Sequence, residues 1–167
     1  MTDPSKRLTH LDDAQRPRMV DVSGKEMTLR TARASCTVRL PPDVASAIAG
    51  DELVSAKGPV FQTAILAGVM AAKKTSELIP FCHPIGLDDC DVTISLTDEH
   101  HVYIEAIARV WHKTGVEMEA LTAVSTAALT LYDMCKALSH DIVISDIQLL
   151  DKTGGKKDVH RTQSTSE

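Results

Sequence analysis

The chain has 167 residues, a length typical of a single domain, with 43% hydrophobic and 25% charged residues. Its formal net charge is −5 at pH 7, which disfavours binding to DNA or to an anionic membrane. The one Trp, two Tyr and two Phe are too few for the stacking surface of a protein that binds single-stranded nucleic acid.

The cysteines and the N-terminus indicate a cytoplasmic protein. Cys36, Cys82, Cys90 and Cys135 form no C-x-x-C pair, and the first residues lack the basic and apolar pattern of a signal peptide. No stretch reaches the roughly 18 apolar residues of a membrane span. We therefore expect reduced thiols and no membrane contact. Cys82 beside His83 is weak evidence for zinc without a second ligand pair, and we predict no metal site.

The chain is expected to form a single domain, 1–167, with an unstructured segment at each end. Residues 1 to about 17 are polar and show no periodicity, which predicts a flexible arm. Residues 157–167 are predicted to form a disordered tail for the same reason. The core then extends over about 18–156.

The first half of the core predicts one strand and two helices. Ala32–Leu40 has the composition of a strand and is followed by two prolines. A short helix is expected over about 43–49, ending at Gly50. Helical periodicity and many alanines predict a long helix from Val60 to about Ile79, where Pro80 stops it.

The second half predicts a hairpin, a helix and a last strand. Apolar and polar residues alternate in Cys90–Leu96 and again in Val102–Val110, with a turn at 98–100 between them. A second long helix is expected over about 116–138, and a final strand over 141–150. The order β-α-β-β-α-β predicts an α+β fold of the ferredoxin-like type, with both helices on one face of an antiparallel sheet.

The two long helices lack charge over most of their length. No charged residue occurs between Pro59 and Ala72 or between Ala120 and Tyr132. A helix on a sheet normally exposes a charged face, whereas these helices present Ala, Gly, Ser and Thr all round. We therefore expect another subunit to cover their second side, so that the protein is an oligomer.

The second long helix carries two candidate functional clusters. Thr114 and Glu117 have the spacing of a capping box, which would explain Glu117 but not Glu119. Asp133 and Lys136 lie three residues apart and share a helix face, where they form either an exposed ion pair or a proton donor–acceptor pair. Glu119 and Asp133 are about 21 Å apart along one helix, so one small ligand could contact both only across two subunits.

Further candidates lie in loops. His83 follows a proline-rich turn, where it is either a structural histidine or part of a site. Lys57 precedes a glycine, and Lys152 and Lys156 flank Gly154–Gly155. Backbone N–H groups beside glycines can approach a phosphate while lysines supply charge, although solvated lysines explain the same pattern.

Several strings of the sequence match one known family. The most specific are TGVEMEALTA (114–123) and YDMCKA (132–137). The other matching segments are Leu8–His10, Met19–Ser23, Ala71–Pro84 and Leu150–Lys156. From about Leu8 to Lys156 the chain closely resembles the cyclic pyranopterin monophosphate synthases, the C-protein family of molybdenum cofactor biosynthesis.

The resemblance implies a ferredoxin-like fold assembled as a homohexamer, a trimer of dimers with active sites at the interfaces. It implies a lyase that converts (8S)-3′,8-cyclo-7,8-dihydroguanosine 5′-triphosphate into cyclic pyranopterin monophosphate and pyrophosphate, without a cofactor. By matching positions, Asp133 and Lys136 form the catalytic pair. The implied substrate-binding residues are Phe81, Cys82, His83, Glu117, Met118 and Glu119, with Lys57, Lys73, Lys152 and Lys156 for the triphosphate.

Four positions depart from the pattern of the family. His112 stands where some relatives have a small residue, and Phe81 replaces a common aliphatic residue. Lys157–Asp158 replace the usual Ser-Gly after the last matching segment. None of these changes falls in the string that contains Asp133 and Lys136.

The residue types suit the implied chemistry. Rearranging a purine into a pterin needs repeated proton transfers, which an Asp–Lys pair can supply, and lysines stabilise a departing pyrophosphate. The alternative is an oligomeric module that binds a nucleotide without converting it. Asp133 argues against that alternative, because a carboxylate beside a phosphate-binding lysine repels the ligand.

Overall fold

The computed structural model describes residues 16–97 and 101–161. Within these residues the strands are β1 (Thr28–Arg39), β2 (Ile48–Ala49), β3 (Glu52–Ser55), β4 (Gly58–Pro59), β5 (Asp89–Leu96), β6 (Val102–His112), β7 (Val143–Thr153) and β8 (Val159–His160). The helices are α1 (Pro42–Ala45), α2 (Val60–Ala72), α3 (Thr75–Leu78) and α4 (Glu117–Cys135). The predicted turn at 98–100, the Leu8–His10 segment and most of the predicted arm lie outside the described residues.

The fold is mixed α and β, built on a five-stranded antiparallel sheet. The strand order is β5-β6-β1-β7-β8, so β1 lies between two strands that follow it late in the chain. Ala34, for example, is opposite Ala106 on β6 and Leu149 on β7. The predicted strands are confirmed, and each begins or ends within a few residues of its predicted bounds.

One face of the sheet is apolar and is covered by α2 and α4. Small and branched side chains alternate along β1 and β6 and are fully or almost fully buried. They are Ala32, Ala34, Cys36, Val38, Val102, Ile104, Ala106, Ala108 and Val110. The opposite face is polar and carries an ion pair of Arg33 with Glu105 across neighbouring strands. Alternation with period two thus divides the sheet into a core face and an outer face.

The two long helices lie side by side and run in opposite directions. At their contact, a side chain added at Gly68 of α2 would come within 3.0 Å of the main-chain oxygen of Ala123 on α4. Glycine here allows the close approach of the two backbones. On α4, the side chains of Val124, Ala128, Leu131 and Cys135 are fully buried in the core.

Two helix boundaries were predicted wrongly at the C-terminal side. The helix predicted to reach residue 138 already ends at Cys135, and Leu138 is 47% exposed. The helix predicted to reach Ile79 ends at Ala72 and resumes as the short α3. The hydroxyl of Thr75 donates a 3.0 Å hydrogen bond to the main-chain oxygen of Ala72, a side-chain bond that competes with continuation of the helix.

A small three-stranded sheet, β2-β3-β4, precedes α2 and was not predicted. The helix expected over 43–49 is only the four residues of α1, and Ile48–Ala49 form β2 instead. Strands of two to four residues are too short to show alternation in a sequence. This small sheet has a functional consequence, because its last hairpin carries Lys57.

The predicted disordered tail begins too early. Val159–His160 form β8, which pairs with Asp151 and Lys152 of β7. The chain reverses through Gly154, whose φ of +81° suits glycine, and which packs tightly against the main chain of Leu29. Residues 162–167 lie outside the described part of the chain.

The outward faces of α2 and α4 expose large apolar side chains. Leu66 and Met70 of α2 are 60% and 51% exposed, and Leu129 of α4 is 61% exposed. No described residue of the chain covers them. Among the described residues, no helix has both the length and the apolar character needed to cross a membrane.

Candidate active site

Asp133 lies near the C-terminal end of α4 between two lysines. Its Oδ1 is 2.7 Å from Nζ of Lys136, one turn further along the chain. Its Oδ2 is 2.7 Å from Nζ of Lys57, which also donates a 3.1 Å hydrogen bond to the main-chain oxygen of Asp133. We call Lys57, Asp133 and Lys136 the C-terminal group of α4. The predicted proximity of Asp133 and Lys136 is confirmed, and Lys57 joins them from another element.

The turn between β3 and β4 places Lys57 at this position. The Ser55 hydroxyl accepts a 3.1 Å hydrogen bond from the main-chain N–H of Lys57, which closes the turn. Gly58 has a φ of +107°, a conformation that other residues rarely adopt. An ammonium near the free carbonyls at a helix C-terminus is also favoured by the helix dipole.

The two lysines hold the Asp133 carboxyl in its charged form. Hydrogen bonds from Lys136 and then Lys57, together with their charges, lower the pKa of Asp133 from 3.8 to about 2. The hydrogen bond from Lys136 to Asp133 and the negative charge of Asp133 raise the pKa of Lys136. All three side chains are about half exposed, so a ligand can reach them from solvent.

A second set of predicted residues lies at the opposite end of α4. Glu117 Oε1 is 2.7 Å from Nζ of Lys152, which comes from β7. The predicted capping box is wrong: the residue before α4 is Val116, and no side chain caps the helix. The Glu117 carboxylate pairs with Lys152 instead. We call Glu117, Glu119 and Lys152 the N-terminal group of α4.

Glu119 is a buried carboxyl, with only 3% of its surface exposed. Burial, and to a lesser degree the negative charge of Glu117, raises the pKa of Glu119 from 4.5 to about 7. Burial raises the pKa of the Cys82 thiol, and the nearby negative charge of Glu119 raises it further. Met118, the residue between the two glutamates, is 38% exposed. A carboxyl that is largely protonated below pH 7, beside an accessible apolar side chain, suits a heterocyclic ring better than a phosphate.

The loop after α3 brings His83 close to the N-terminal segment. Nε2 of His83 is 2.8 Å from the main-chain oxygen of Val20, so the ring has a structural partner. Phe81 in the same loop is 41% exposed. Lys113 reaches the same segment, since its Nζ donates a 2.6 Å hydrogen bond to the main-chain oxygen of Ser23. Our sequence reasoning gave Lys113 no role, although it precedes the TGVEMEALTA string.

The remaining predicted lysines are spread over both ends. Lys73 follows the C-terminal end of α2 and lines a cleft of about 220 Å³ with Asp88, Asp89 and Cys90. Lys57 precedes the N-terminal end of the same helix, about 20 Å away along 13 residues. Lys156 is exposed in the turn between β7 and β8. One chain therefore does not bring the four lysines together.

Within the described residues, no group of three or more His, Cys, Asp or Glu side chains could hold a metal ion. All four cysteines are free, and Cys36 and Cys135 are buried. Burial raises the pKa of the Cys36 thiol to about 12 and that of Cys135 to about 11. The buried thiols are therefore protonated and unreactive at neutral pH.

Comparison with known proteins places the chain in one family. It matches the MoaC family over residues 19–155. It is 54% identical to a cyclic pyranopterin monophosphate synthase of Xanthomonas oryzae pv. oryzae over 159 residues, which cover 95% of this chain and 96% of that protein. A protein of the same name from Streptomyces coelicolor is 50% identical, covering 92% of this chain and 89% of its own length. A Synechocystis protein named molybdenum cofactor biosynthesis bifunctional protein is 49% identical, and the match covers 46% of it. The chain therefore belongs to the MoaC family.

Proposed function

We propose that this protein is a cyclic pyranopterin monophosphate synthase of molybdenum cofactor biosynthesis. It converts (8S)-3′,8-cyclo-7,8-dihydroguanosine 5′-triphosphate into cyclic pyranopterin monophosphate and releases pyrophosphate. The observation that carries the proposal is the half-exposed Asp133 carboxylate held between Lys57 and Lys136. Support comes from the names of the relatives in Xanthomonas and Streptomyces, which match this chain over nearly its whole length.

The C-terminal group of α4 has the composition of an acid–base site. Opening the imidazole ring of the purine and closing a pyrazine ring move protons on and off carbon and nitrogen. Lys136 donates a proton, and the Asp133 carboxylate accepts one. A pKa of about 2 makes Asp133 a weak base on its own. When substrate phosphates draw the lysines away, the carboxylate loses the hydrogen bonds that lower its pKa and becomes more basic.

The last step converts the triphosphate into a cyclic phosphate. A ribose hydroxyl oxygen attacks the α-phosphorus as its proton passes to the Asp133 carboxylate, the bond from that phosphorus to the bridging oxygen breaks, and pyrophosphate leaves with the electron pair. Ammonium groups stabilise the charge that develops on the leaving group. Lys57, Lys73, Lys152 and Lys156 fill this role in the proposal, and Lys57 lies within reach of the Asp133 carboxylate.

We propose that each active site lies between subunits of a homohexamer. The two groups at the ends of α4 are separated by about 21 Å in one chain, too far for one substrate to contact both. The apolar side chains of Leu66, Met70 and Leu129 on the outward helix faces support burial by another copy. The ferredoxin-like class is part of the same proposal, supported by the strand order β5-β6-β1-β7 with a helix after β1 and another after β6.

We also propose one domain over 1–167 and a cytoplasmic location. Support for the location comes from the four cysteines, all of which are free thiols in the structure. In the described core, one layer of helices packs on the five-stranded sheet, and the three-stranded sheet lies beside α2, which supports one domain.

The decisive experiment supplies the purified protein with the cyclic triphosphate and measures pyrophosphate and the pterin product. Stoichiometric formation of both supports the synthase. The matched control is Asp133→Asn, which keeps the size of the side chain but removes its charge. Tight binding of the triphosphate without pyrophosphate release in the unmodified protein would favour the alternative, a module that only binds a nucleotide.

A further inference from the structure

The hairpin β3–β4 touches the ends of both long helices with opposite charges. At its start, Glu52 accepts hydrogen bonds from the main-chain N–H groups of Phe61 (2.7 Å to Oε1) and Gln62 (3.3 Å to Oε2). These N–H groups belong to the first turn of α2, where no side chain of α2 itself supplies a cap. At the far end of the hairpin, Lys57 donates to the main-chain oxygen of Asp133 in the last turn of α4.

Both contacts agree with the electrostatics of helix ends. A carboxylate is favoured at the positive N-terminal end of a helix, and an ammonium at the negative C-terminal end. Because α2 and α4 run antiparallel, the N-terminus of one lies beside the C-terminus of the other. A hairpin with an acidic first residue and a lysine in its turn can therefore contact the N-terminus of α2 and the C-terminus of α4 at the same time. Glu52 also accepts a 2.8 Å hydrogen bond from the N–H of Leu53, which is fully buried beneath the hairpin.

We propose that Glu52 is a positioning residue that holds Lys57 against Asp133. Glu52 contacts neither Lys57 nor Asp133, and it acts by fixing the hairpin to the start of α2. Without it, the hairpin keeps the main-chain bonds of β2, β3 and β4 and the buried side chain of Leu53, but it loses its side-chain hydrogen bonds to the first turn of α2, and the turn that carries Lys57 gains freedom to move. The part of Lys57 in turnover rests on the proposed function, whereas its placement by Glu52 does not.

The first test measures the placement of Lys57 in the protein without substrate. Trace acetylation of lysines, followed by mass spectrometry, gives the reaction rate of each ammonium group. In Asp133→Ala, Lys57 loses the carboxylate that pairs with it, and its ammonium group is expected to react several-fold faster. Glu52→Ala is expected to raise the Lys57 rate to a similar level, and Glu52→Gln, which keeps the shape and one weaker acceptor, to raise it less.

The matched control is Asp88→Asn. The Asp88 carboxylate also accepts a short hydrogen bond from a main-chain N–H, that of Trp111 at 2.7 Å, but on a different part of the sheet. This change is expected to leave the Lys57 rate as in the unmodified protein. The inference is overturned if both Glu52 variants leave the rate unchanged, or if Asp133→Ala does not raise it.

The second test is a double-mutant cycle on turnover. A shift of the Lys57 turn by about 1 Å can lower the rate by up to about 10²-fold, so Glu52→Ala should lower kcat more than it alters KM. In a Lys57→Ala background the same change should have almost no further effect, because there is no ammonium left to position. A residue that only stabilises the fold would add its loss in both backgrounds. If Lys57 is acetylated faster in Glu52→Ala but turnover is unchanged, Glu52 still positions Lys57. That result would contradict the proposed part of Lys57 in turnover.

Discussion

Asp133 and Glu119 belong to the same helix but lie in opposite environments. Asp133 is half exposed between two ammonium groups, which lower its pKa to about 2. Glu119 is buried, and burial raises its pKa to about 7. Two carboxyl groups with such different proton affinities are typical of sites that need one charged and one neutral acid. In the proposed synthase, Asp133 exchanges protons and Glu119 hydrogen-bonds the heterocycle.

The charge on Asp133 and the ammonium of Lys136 should be needed for turnover but not for folding. Asp133→Asn and Lys136→Ala are each expected to lower kcat by at least ~10²-fold, as for the loss of a general acid or base. The double variant should be little worse than either single one, because the two groups act together. Circular dichroism and the melting temperature should barely change, since both side chains are about half exposed. Unchanged turnover in both single variants would make the pair a surface ion pair only.

The buried carboxyl of Glu119 predicts a specific pH dependence of stability. Its folded pKa of about 7 lies above the ordinary 4.5, so its contribution is fully present below pH 4.5 and is lost as the pH rises through 7. Glu119→Gln, which cannot ionise, should therefore gain on the unmodified protein between pH 5 and pH 8, by about 3 kcal/mol at most. Urea unfolding at the two pH values measures the difference.

The exposed carboxyl of Glu77 on α3 provides the control for this measurement. Glu77→Gln makes the same substitution at an exposed position and is measured at the same two pH values. If Glu119→Gln behaves in the same way as Glu77→Gln, burial does not govern the protonation of Glu119.

At the scale of elements, periodic patterns in the sequence predicted the long strands and helices, but they did not predict the contacts between distant segments. The alternation of Val102–Val110 fixes both a strand and its buried face, and the spacing of Asp133 and Lys136 fixes their contact on one helix face. The position of Lys57 beside them depends on a hairpin of very short strands. No period marks these strands, and the contact joins residues 76 positions apart. Long-range contacts of this kind are set by packing and not by local pattern.

The end of α2 gives a second example of a missed local cause. Periodicity and the absence of proline suggested continuation to Ile79, yet the buried hydroxyl of Thr75 bonds back to the helix and interrupts it. The capping box failed for a related reason, since Glu117 finds Lys152 on β7. In the first case a side-chain hydrogen bond to the preceding turn competes with the helical pattern, and in the second the folded chain supplies a partner 35 positions away.

Gly154 makes a prediction about the β7–β8 turn. A Cβ at this position would lie 1.9 Å from the main-chain oxygen of Leu29, and the φ of +81° is itself unfavourable for alanine. Gly154→Ala should therefore destabilise the fold by about 1–3 kcal/mol and displace the lysines on either side of the turn. Gly24→Ala is the matched control, because nothing lies within 4 Å of a Cβ there. Chemical unfolding that gives equal values for the two variants would contradict the close packing.

At the scale of the whole molecule, the outward helix faces predict self-association. Leu129 is 61% exposed on α4, in a stretch of helix without charge. Leu129→Glu is expected to reduce the assembly to smaller species in analytical ultracentrifugation without loss of helix content. Leu129→Met keeps the apolar character at the same place and should leave the assembly intact. If the glutamate variant sediments like the unmodified protein, another surface joins the subunits.

The length of α4 predicts how subunits with different inactivating substitutions behave when they assemble together. If each site takes the C-terminal group from one subunit and the N-terminal group from its neighbour, a chain damaged at one end still serves a site through the other. Glu119→Ala, which removes the group proposed to bind the heterocycle, is expected to be inactive. Mixing Asp133→Asn with Glu119→Ala subunits, after dissociation and reassembly, should then restore about a quarter of the sites. Reassembly of either variant alone should restore none. Two alleles that each abolish the activity would thus partly rescue one another in one cell, and no such rescue would follow if each chain held a complete site.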